Sequence, residues 1–93
     1  MNRRVELAPR ARRQVERLSP EIRLRVLVDI QALGASPFGP PGAVKKLRGY
    51  RTPTYRLRSG DYRAVYRVEE GVVVVAAVFD RKDLARELKS LKN

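Results

Sequence analysis

The chain has 93 residues, the size of one small domain, and its 21 Lys and Arg against 10 Asp and Glu give a formal net charge of +11. Its longest wholly apolar stretch, residues 72–79, is far shorter than the roughly 20 residues that span a bilayer. Cys and His are absent, which excludes disulfides, thiol chemistry, the usual zinc sites and a histidine acid–base pair. We expect one domain over residues 1–93 in a reducing cytoplasm, with no signal peptide, membrane contact, metal or cofactor.

The positive charge is mostly arginine and is unevenly distributed. Sixteen of the basic residues are Arg, whose planar guanidinium suits bidentate phosphate contacts. Residues 45–67 carry eight basic side chains and a single acid, Asp61. This density favours binding to a polyanion, and nucleic acid or the ribosome is the commonest polyanion in a cytosol. The alternative is an arginine-rich surface that is simply solvated.

The first 34 residues predict a short strand and two helices. Residues 4–7 alternate in polarity, and Pro9 suits the first turn of a helix over about residues 8–18. Ser19, Pro20 and Glu21 are typical of the start of a second helix, over residues 20–34, which Gly34 ends. Apolar residues at helical spacing predict that the two antiparallel helices pack through one face.

The second half of the chain predicts a sheet. After a loop at residues 35–43, strands are predicted over residues 54–59, 62–68 and 72–79, followed by a short amphipathic helix over residues 83–91. The order β-α-α-β-β-β-α predicts an α+β domain with its helices on one side of an antiparallel sheet. The predicted core comprises Val15, Leu18, Ile22, Val26, Ile30, Leu57, Ala64, Tyr66, Val74 and Val78.

The predicted hairpin around Gly60 and Asp61 concentrates charge on one face. A two-residue turn there places Arg58 opposite Arg63, with the apolar side chains on the other face of the sheet. Two like charges in register destabilise a sheet, and an anion held between the guanidiniums would resolve the conflict. The charged face carries four arginines: Arg56, Arg58, Arg63 and Arg67.

The segments KLRG at residues 46–49 and YRLRSGDYRAVY at residues 55–66 resemble the central signature of the RelE/ParE toxin superfamily. The valine-rich strand and the following residues 80–83 (DRKD) resemble its strand and H-R-R-type turn. The resemblance covers essentially the whole chain and implies a RelE-like fold. RelE-like toxins are ribosome-dependent ribonucleases that cut mRNA in the ribosomal A site, and acidic antitoxins neutralise them. The implied partners are therefore translated mRNA on the ribosome and a cognate acidic antitoxin.

The resemblance also implies the site residues. Arg63 is similar to the arginine of the family's second hairpin strand, and Arg81 to the arginine of its turn. Lys82 or Asp80 is the candidate for proton transfer. The catalytic set implied in this way is Arg58, Arg63, Arg81 and Lys82, and the RNA-binding set is Lys46, Arg48, Arg56 and Arg67. Arg23, on the second helix, is predicted to lie away from the site.

Two positions depart from the family pattern and keep other functions open. Asp80 stands where many relatives have His, and Ala85 stands where a C-terminal Tyr is expected. The sequence therefore retains the residues that would clamp a phosphate and lacks the usual groups for proton transfer. One alternative is a ParE-like toxin that binds DNA gyrase without catalysis. Another is a degenerate toxin that binds only its antitoxin. Arg81 favours the ribonuclease.

Overall fold

A computed structural model describes residues 2–92 and shows a five-stranded sheet with helices on both faces. The predicted α+β class is confirmed. No helix within these residues is long and apolar enough to cross a membrane. In chain order the elements are β1 (Arg4–Leu7), α1 (Pro9–Glu16), α2 (Pro20–Gln31), a 3-10 turn (Ala32–Gly34), β2 (Val44–Leu47), β3 (Thr54–Ser59), β4 (Tyr62–Glu69), β5 (Val72–Asp80), a second 3-10 turn (Arg81–Asp83) and α3 (Leu84–Leu91).

The sheet is mixed, so the predicted antiparallel sheet is wrong at one edge, where β1 pairs in parallel. Its spatial order is β1-β5-β4-β3-β2. β1 pairs with β5 in parallel, because α1, α2 and the intervening strands provide the long crossover that a parallel pair needs. β2, which pairs with β3, is not predicted from the sequence. Its four residues, VKKL, are too few and too charged to show strand alternation.

Helices cover both faces of the sheet, which corrects the prediction of helices on one side. α1 and α2 pack over Leu57, Tyr66 and Val75, together with other residues of that face. α3 packs through its leucines on the opposite face, over Val65, Ala77 and Phe79. Successive residues of a strand point to opposite faces of the sheet. Because β5 is apolar on both faces, it packs against α1 and α2 on one side and against α3 on the other.

A bulge in β5 decides which valines enter the larger core. Val65 lies opposite Ala77 but the next residue, Tyr66, lies opposite Val75, so the ladder shifts at Ala76. Because of this shift Val75 and Val78 share a face, whereas Val74 is only half-buried on the other. The prediction of Val74 as a core residue is therefore wrong. The predicted core residues that are buried are Val15, Val26, Ile30, Leu57, Ala64, Tyr66 and Val78.

The first turn of α2 is less covered than the sequence predicts. Ile22 is 37% exposed, so its assignment to the core is wrong, and Leu18 is half-buried against the core. Ile22 lies beside the hairpin turn at Gly60 and Tyr62, where a cavity of about 360 Å³ opens between helix and hairpin. The sheet therefore ends beneath this turn of the helix and covers Ile22 only in part.

Gly34 marks a close approach of two backbone segments. A Cβ at this position would lie 2.6 Å from the carbonyl oxygen of Arg3 and 3.3 Å from Val5 Cγ2. We expect Gly34→Ala to lower the free energy of unfolding by about 1–3 kcal/mol, because backbone must move to relieve the overlap. Urea unfolding measures this. Gly39→Ala, whose Cβ would meet no atom within 4 Å, is the control. Equal stability of the two variants would contradict the prediction.

Tyr66 makes the protein sensitive to alkaline pH. Its side chain is buried and its hydroxyl donates to the Pro37 carbonyl at 2.6 Å. Burial, with a contribution from Tyr55, raises the pKa of Tyr66 above its usual value. Above about pH 10 the unfolded chain releases this proton and the folded chain retains it, so stability falls as pH rises. Between about pH 10 and 11 the free energy of unfolding should fall by up to about 1.4 kcal/mol more in wild type than in Tyr66→Phe, measured by thermal or urea unfolding. Parallel loss in both proteins would contradict this.

Candidate functional site

The hairpin of β3 and β4 has the predicted register. Ser59 lies opposite Tyr62, and Arg58 lies opposite Arg63. Gly60 has a φ of 58°, the left-handed conformation that two-residue hairpin turns require and that glycine adopts without strain. The like-charge pair predicted from the sequence is therefore present in the folded chain.

Arg63 is held against the backbone of this turn. It is 9% exposed, and its Nη1 donates to the carbonyl oxygens of Gly60 at 3.0 Å and Tyr62 at 2.9 Å. Burial lowers the pKa of the Arg63 guanidinium; the charges of Arg56, Arg58 and Arg81 lower it further, while Asp61 raises it. Three other guanidiniums thus lie close enough to act on Arg63. The protein holds this cation rigidly in a strongly positive environment.

Arg81 reaches the same place from the end of β5. Its backbone N–H donates to the carbonyl of Asp61 at 2.8 Å, and its Nε lies 3.7 Å from Asp61 Oδ1. The backbone bond fixes the turn after β5 to the tip of the hairpin. Both side chains are largely exposed, so their ion pair contributes little to stability and a competing anion can displace the carboxylate.

Arg56 has a buried donor that lacks an acceptor. It lies in β3 between Lys45 of β2 and Val65 of β4. Its Nε is buried and has no hydrogen-bond partner among residues 2–92. An unpaired buried donor costs on the order of 1–3 kcal/mol, more when it is charged, so an acceptor that reached this N–H would be bound favourably.

We call Arg56, Arg58, Arg63 and Arg81 the arginine cluster. They bring four guanidiniums to one end of the sheet face that α3 also covers, with the carboxylate of Asp61 at the rim. Guanidiniums remain charged at any physiological pH and offer forked donors that match phosphate oxygens. The arrangement is suited to binding an anion and to stabilising negative charge that develops on it. It contains no group that is an evident proton acceptor other than Asp61.

The structure brings only part of the predicted RNA-binding set to the cluster. Arg56 belongs to it. Lys46 lies opposite Tyr55, on the other sheet face, and Lys45 is the β2 lysine that lies beside Arg56. Arg67 forms an ion pair with Glu69 and lines a cavity beneath the end of α3. Arg48 is exposed in the loop that follows β2.

Of the candidates for proton transfer, Asp80 has a structural role. It accepts a hydrogen bond from the backbone N–H of Lys82 at 3.0 Å and so caps the 3-10 turn. The Lys82 side chain is exposed. Asp61, which is not among the predicted site residues, is the acid next to Arg81 and Arg63. Its signal in the sequence is its isolation as the one acid among eight basic residues.

Arg23, on α2, makes no contact with the cluster residues in the hydrogen bonds of its side chain, but these bonds make it unsuitable as a neutral control position. Its Nη2 donates to the carbonyls of Glu16 at 3.0 Å and Leu18 at 2.9 Å, and its Nε donates to Val15 at 3.3 Å. These bonds satisfy carbonyls at the C-terminal end of α1, so Arg23 stabilises the helix corner. Arg13 is a better control, because it is exposed on α1, on the opposite face of the sheet from the cluster.

α3 is anchored beside the cluster by a polar contact to α1. Glu87 is 9% exposed and accepts from Arg10 Nη2 at 2.5 Å and from Gln14 Nε2 at 3.2 Å. At the next residue of α3, the hydroxyl of Tyr50 donates to the Leu88 carbonyl at 3.1 Å. These contacts, with the leucines beneath the helix, position α3 as the neighbour of the cluster on this face.

Comparison with known proteins identifies relatives over most of the chain. Residues 5–85 match the family described as ParE toxin of type II toxin-antitoxin system, parDE. The fold is similar to that in the RelBE2 toxin–antitoxin complex of Mycobacterium tuberculosis, with 29% identity and a TM-score of 0.75 over 89% of this chain and 95% of that one. Among curated proteins, no sequence matches this chain.

Two further solved structures support the same likeness. The archaeal RelE–RelB complex from Pyrococcus horikoshii OT3 has 27% identity and a TM-score of 0.74, covering 87% of this chain and 97% of that one. A mutant of the E. coli toxin RelE in the free state has 27% identity and a TM-score of 0.72, covering 99% and 95%. Two of these three structures contain an antitoxin bound to the toxin.

Proposed function

Because the chain belongs to the RelE/ParE toxin superfamily of type II toxin–antitoxin systems, we propose that it is a cytoplasmic, ribosome-dependent endoribonuclease that cleaves translated mRNA. An acidic antitoxin would neutralise it. The observation that carries this proposal is the arginine cluster, in which four guanidiniums converge on one end of the sheet. A site of this kind is suited to a phosphodiester that gains negative charge during reaction.

In the proposed reaction the 2′-hydroxyl of the mRNA loses its proton and attacks the adjacent phosphorus. The P–O5′ bond breaks, the 5′-oxygen takes up a proton, and a 2′,3′-cyclic phosphate remains. Arg58, Arg63 and Arg81 would stabilise the extra negative charge of the phosphorane, and Arg56 Nε would donate a hydrogen bond to an oxygen of a neighbouring phosphate. Arginine is a poor general base because its pKa of about 13 keeps it charged.

The site has few groups that could transfer protons. Lys82 is exposed after the 3-10 turn and is available as a donor, whereas Asp80 is engaged as its cap. Asp61 is the carboxylate nearest the guanidiniums. With these groups we propose an enzyme that is slow on free RNA and depends on the ribosome to position the substrate, since positioning alone contributes about 7–11 kcal/mol in well-oriented reactions.

The alternative is a ParE-like toxin that binds DNA gyrase without cleaving RNA. The observation that favours it is the absence of His and the presence of Ala85 at the position of the expected C-terminal Tyr. In this case the arginine cluster would contact an acidic protein or DNA surface. A toxin that has lost activity and binds only its antitoxin would retain the same cluster.

Expression of the chain without an antitoxin, followed by primer extension on cellular mRNA, separates these functions. The proposed ribonuclease should arrest growth and produce mRNA ends within translated reading frames. Growth arrest with intact mRNA and altered DNA supercoiling would contradict it and support the gyrase alternative. Normal growth with intact mRNA and DNA would support the degenerate toxin.

We expect binding of the acidic antitoxin to weaken as salt increases. A chain with a net charge of +11 attracts an acidic partner over distances that salt screens, the Debye length falling from about 14 Å at 50 mM to about 4 Å at 500 mM. Over this range Kd should rise by about tenfold or more, measured by titration calorimetry. Arg13→Ala, which removes one charge far from the cluster, is the control and should show nearly the same dependence of Kd on salt as wild type. Affinity that does not change with salt would contradict the electrostatic argument.

A further inference from the structure

A cavity of about 290 Å³ lies beneath the C-terminal end of α3, apart from the arginine cluster. Its lining comes from residues 49–52 of the loop after β2, from strand residues that include Thr54, Arg67 and Ala76, and from Leu91 and Lys92 at the end of α3. Ala76 is the bulge residue of β5 and contributes only a methyl group to the lining. The volume is near the lower end of the range of about 300–1,000 Å³ for small-ligand sites, so the cavity suits one ring-sized group.

The ring of Tyr50 forms one wall of this cavity. Its hydroxyl donates to the Leu88 carbonyl at 3.1 Å, which fixes the ring against α3. The Nζ of Lys92 lies 5.6 Å from the ring centroid, within the range of a cation–π contact. A lysine stem is flexible, so the ammonium can move aside and leave the ring face to a planar ligand. Bases stack on aromatic rings in this way in proteins that bind single strands.

The rim of the cavity is positively charged. Arg51, Arg67 and Lys92 line it, and of these Arg67 is paired with Glu69. Arg51 and Lys92 are exposed, and their side chains form no ion pair within residues 2–92. An aromatic wall beside these cations matches the two parts of a nucleotide, its base and its phosphate. An acidic protein segment would use only the cations.

The cavity and the arginine cluster lie on the same face of the β3–β4 hairpin. Thr54 lies opposite Arg67 at one end, and Arg58 lies opposite Arg63 four residues further along β3. At about 3.3 Å per residue, this separation is roughly 13 Å. Arg56, whose buried Nε has no acceptor among residues 2–92, lies between them on β3. An extended strand that places one phosphate in the cluster therefore has a line of donors leading to the cavity.

We infer that the cavity is a subsite for one nucleotide of single-stranded RNA, whose base stacks on the ring of Tyr50 while its phosphate contacts Arg51 and Lys92. The inference rests on the proposed function, because the strand is the same RNA whose scissile phosphate lies in the arginine cluster. Stacking is tolerant of base identity, since every base has a π-face. The subsite would therefore add affinity and position the strand without selecting a sequence.

Two short probes isolate the contribution of the base. One is a tetranucleotide of deoxyadenosine, which lacks the 2′-hydroxyl and is not cleaved by the proposed reaction, and the other is its abasic analogue with the same phosphates. At about 20 mM salt we expect the base-containing probe to bind about fivefold or more tighter, the lower end of what one base–aromatic stack contributes. In an NMR titration the ring protons of Tyr50 should shift upfield with this probe only, because an adenine ring lies over them.

Substitutions of Tyr50 separate the ring from its hydrogen bond. Tyr50→Phe loses the bond to Leu88 and keeps the ring, so it should retain the difference in affinity between the two probes. Tyr50→Leu loses both and should abolish that difference, while it binds the abasic probe as wild type does. Phe38→Leu, which removes an exposed ring from the opposite face of the sheet, is the control and should leave both affinities unchanged. The shift is measured on wild-type protein, so the test holds even if Tyr50→Leu does not fold.

Three results would overturn the inference. Equal affinities for the two probes, with no shift at Tyr50, mean that the cations bind phosphate alone. A difference in affinity that survives in Tyr50→Leu means that the base stacks elsewhere. A comparable shift of the Tyr50 ring on addition of a glutamate hexapeptide means that the cavity receives an acidic protein segment.

The same probes distinguish this inference from the ribonuclease proposal, because neither probe is cleaved. If mRNA is cleaved in cells but the two probes bind equally, the subsite is wrong and the ribonuclease stands. If mRNA stays intact but the Tyr50 ring shifts as expected, the cavity stands as a site for single-stranded nucleic acid and the ribonuclease is wrong.

Discussion

Replacing Arg81 with alanine is expected to lower the rate of ribosome-dependent mRNA cleavage by about 10²–10³-fold while changing the free energy of unfolding by less than about 0.5 kcal/mol. The Arg81 side chain is largely exposed, and its ion pair with Asp61 spans 3.7 Å between exposed groups. The bond that fixes the turn to the hairpin is made by its backbone N–H, which the substitution retains. The variant therefore removes a cation from the cluster and leaves the fold in place.

The measurement is single-turnover cleavage of mRNA on programmed ribosomes, with urea unfolding of the same samples. Arg81→Lys should recover only part of the lost rate, because a single ammonium replaces a bidentate fork. Arg13→Ala, which removes an exposed cation from the opposite face, should cleave as wild type does. Full activity of Arg81→Ala would remove Arg81 from the proposed site, and inactive wild-type protein would contradict the ribonuclease proposal itself.

Arg63 requires a different experimental design, because its side chain is buried and bonded within the hairpin turn. Its guanidinium is buried and donates to two carbonyls of the hairpin turn. Arg63→Ala would therefore lose about 10²–10³-fold in rate and also about 1–3 kcal/mol of stability, since two carbonyls of the turn would lose their partly buried donor. Only a rate measured at a temperature where the variant is folded separates these two effects.

The hairpin was predictable from the sequence because its constraints are local. Polar and apolar residues alternate on both sides of Gly60, and only one strand register places the charged side chains on one face and the apolar ones on the other. The glycine-containing two-residue turn is compatible with that register. The same two constraints predict Arg58 opposite Arg63. Prediction that Arg56, Arg58 and Arg63, three of the four members of the cluster, share a sheet face thus required no tertiary information.

The features that could not be predicted depend on long-range contacts. The bulge at Ala76 decides that Val75, and not Val74, lies on the same sheet face as Val78. Residues 72–79 are all apolar, so the hydrophobic pattern does not show which side chains point to which face. The parallel pairing of β1 and the position of α3 on the second face are likewise choices between surfaces of similar polarity. Asp61 enters the site only because the end of β5 returns to the hairpin tip.

Arg58→Gln is expected to increase stability and decrease activity, two changes of opposite sign that follow from one contact. Arg58 lies directly opposite Arg63, and like charges in this position destabilise a sheet by about 0.2–1 kcal/mol. Glutamine keeps a side chain of similar length without the charge. At low ionic strength the variant should therefore gain up to about 1 kcal/mol in the free energy of unfolding.

The same substitution removes a donor that an anion would use, so cleavage should fall by about 10–100-fold, less than for Arg81→Ala because Arg63 and Arg56 remain. Urea unfolding at about 20 mM and about 500 mM salt tests the physical cause, since screening should abolish the stability gain at the higher concentration. Arg13→Gln, which relieves no paired charge, should change neither quantity. If the variant is less stable than wild type at low salt, the charge of Arg58 must be stabilised by other groups of the folded chain. The repulsion between Arg58 and Arg63 would then not favour binding of an anion.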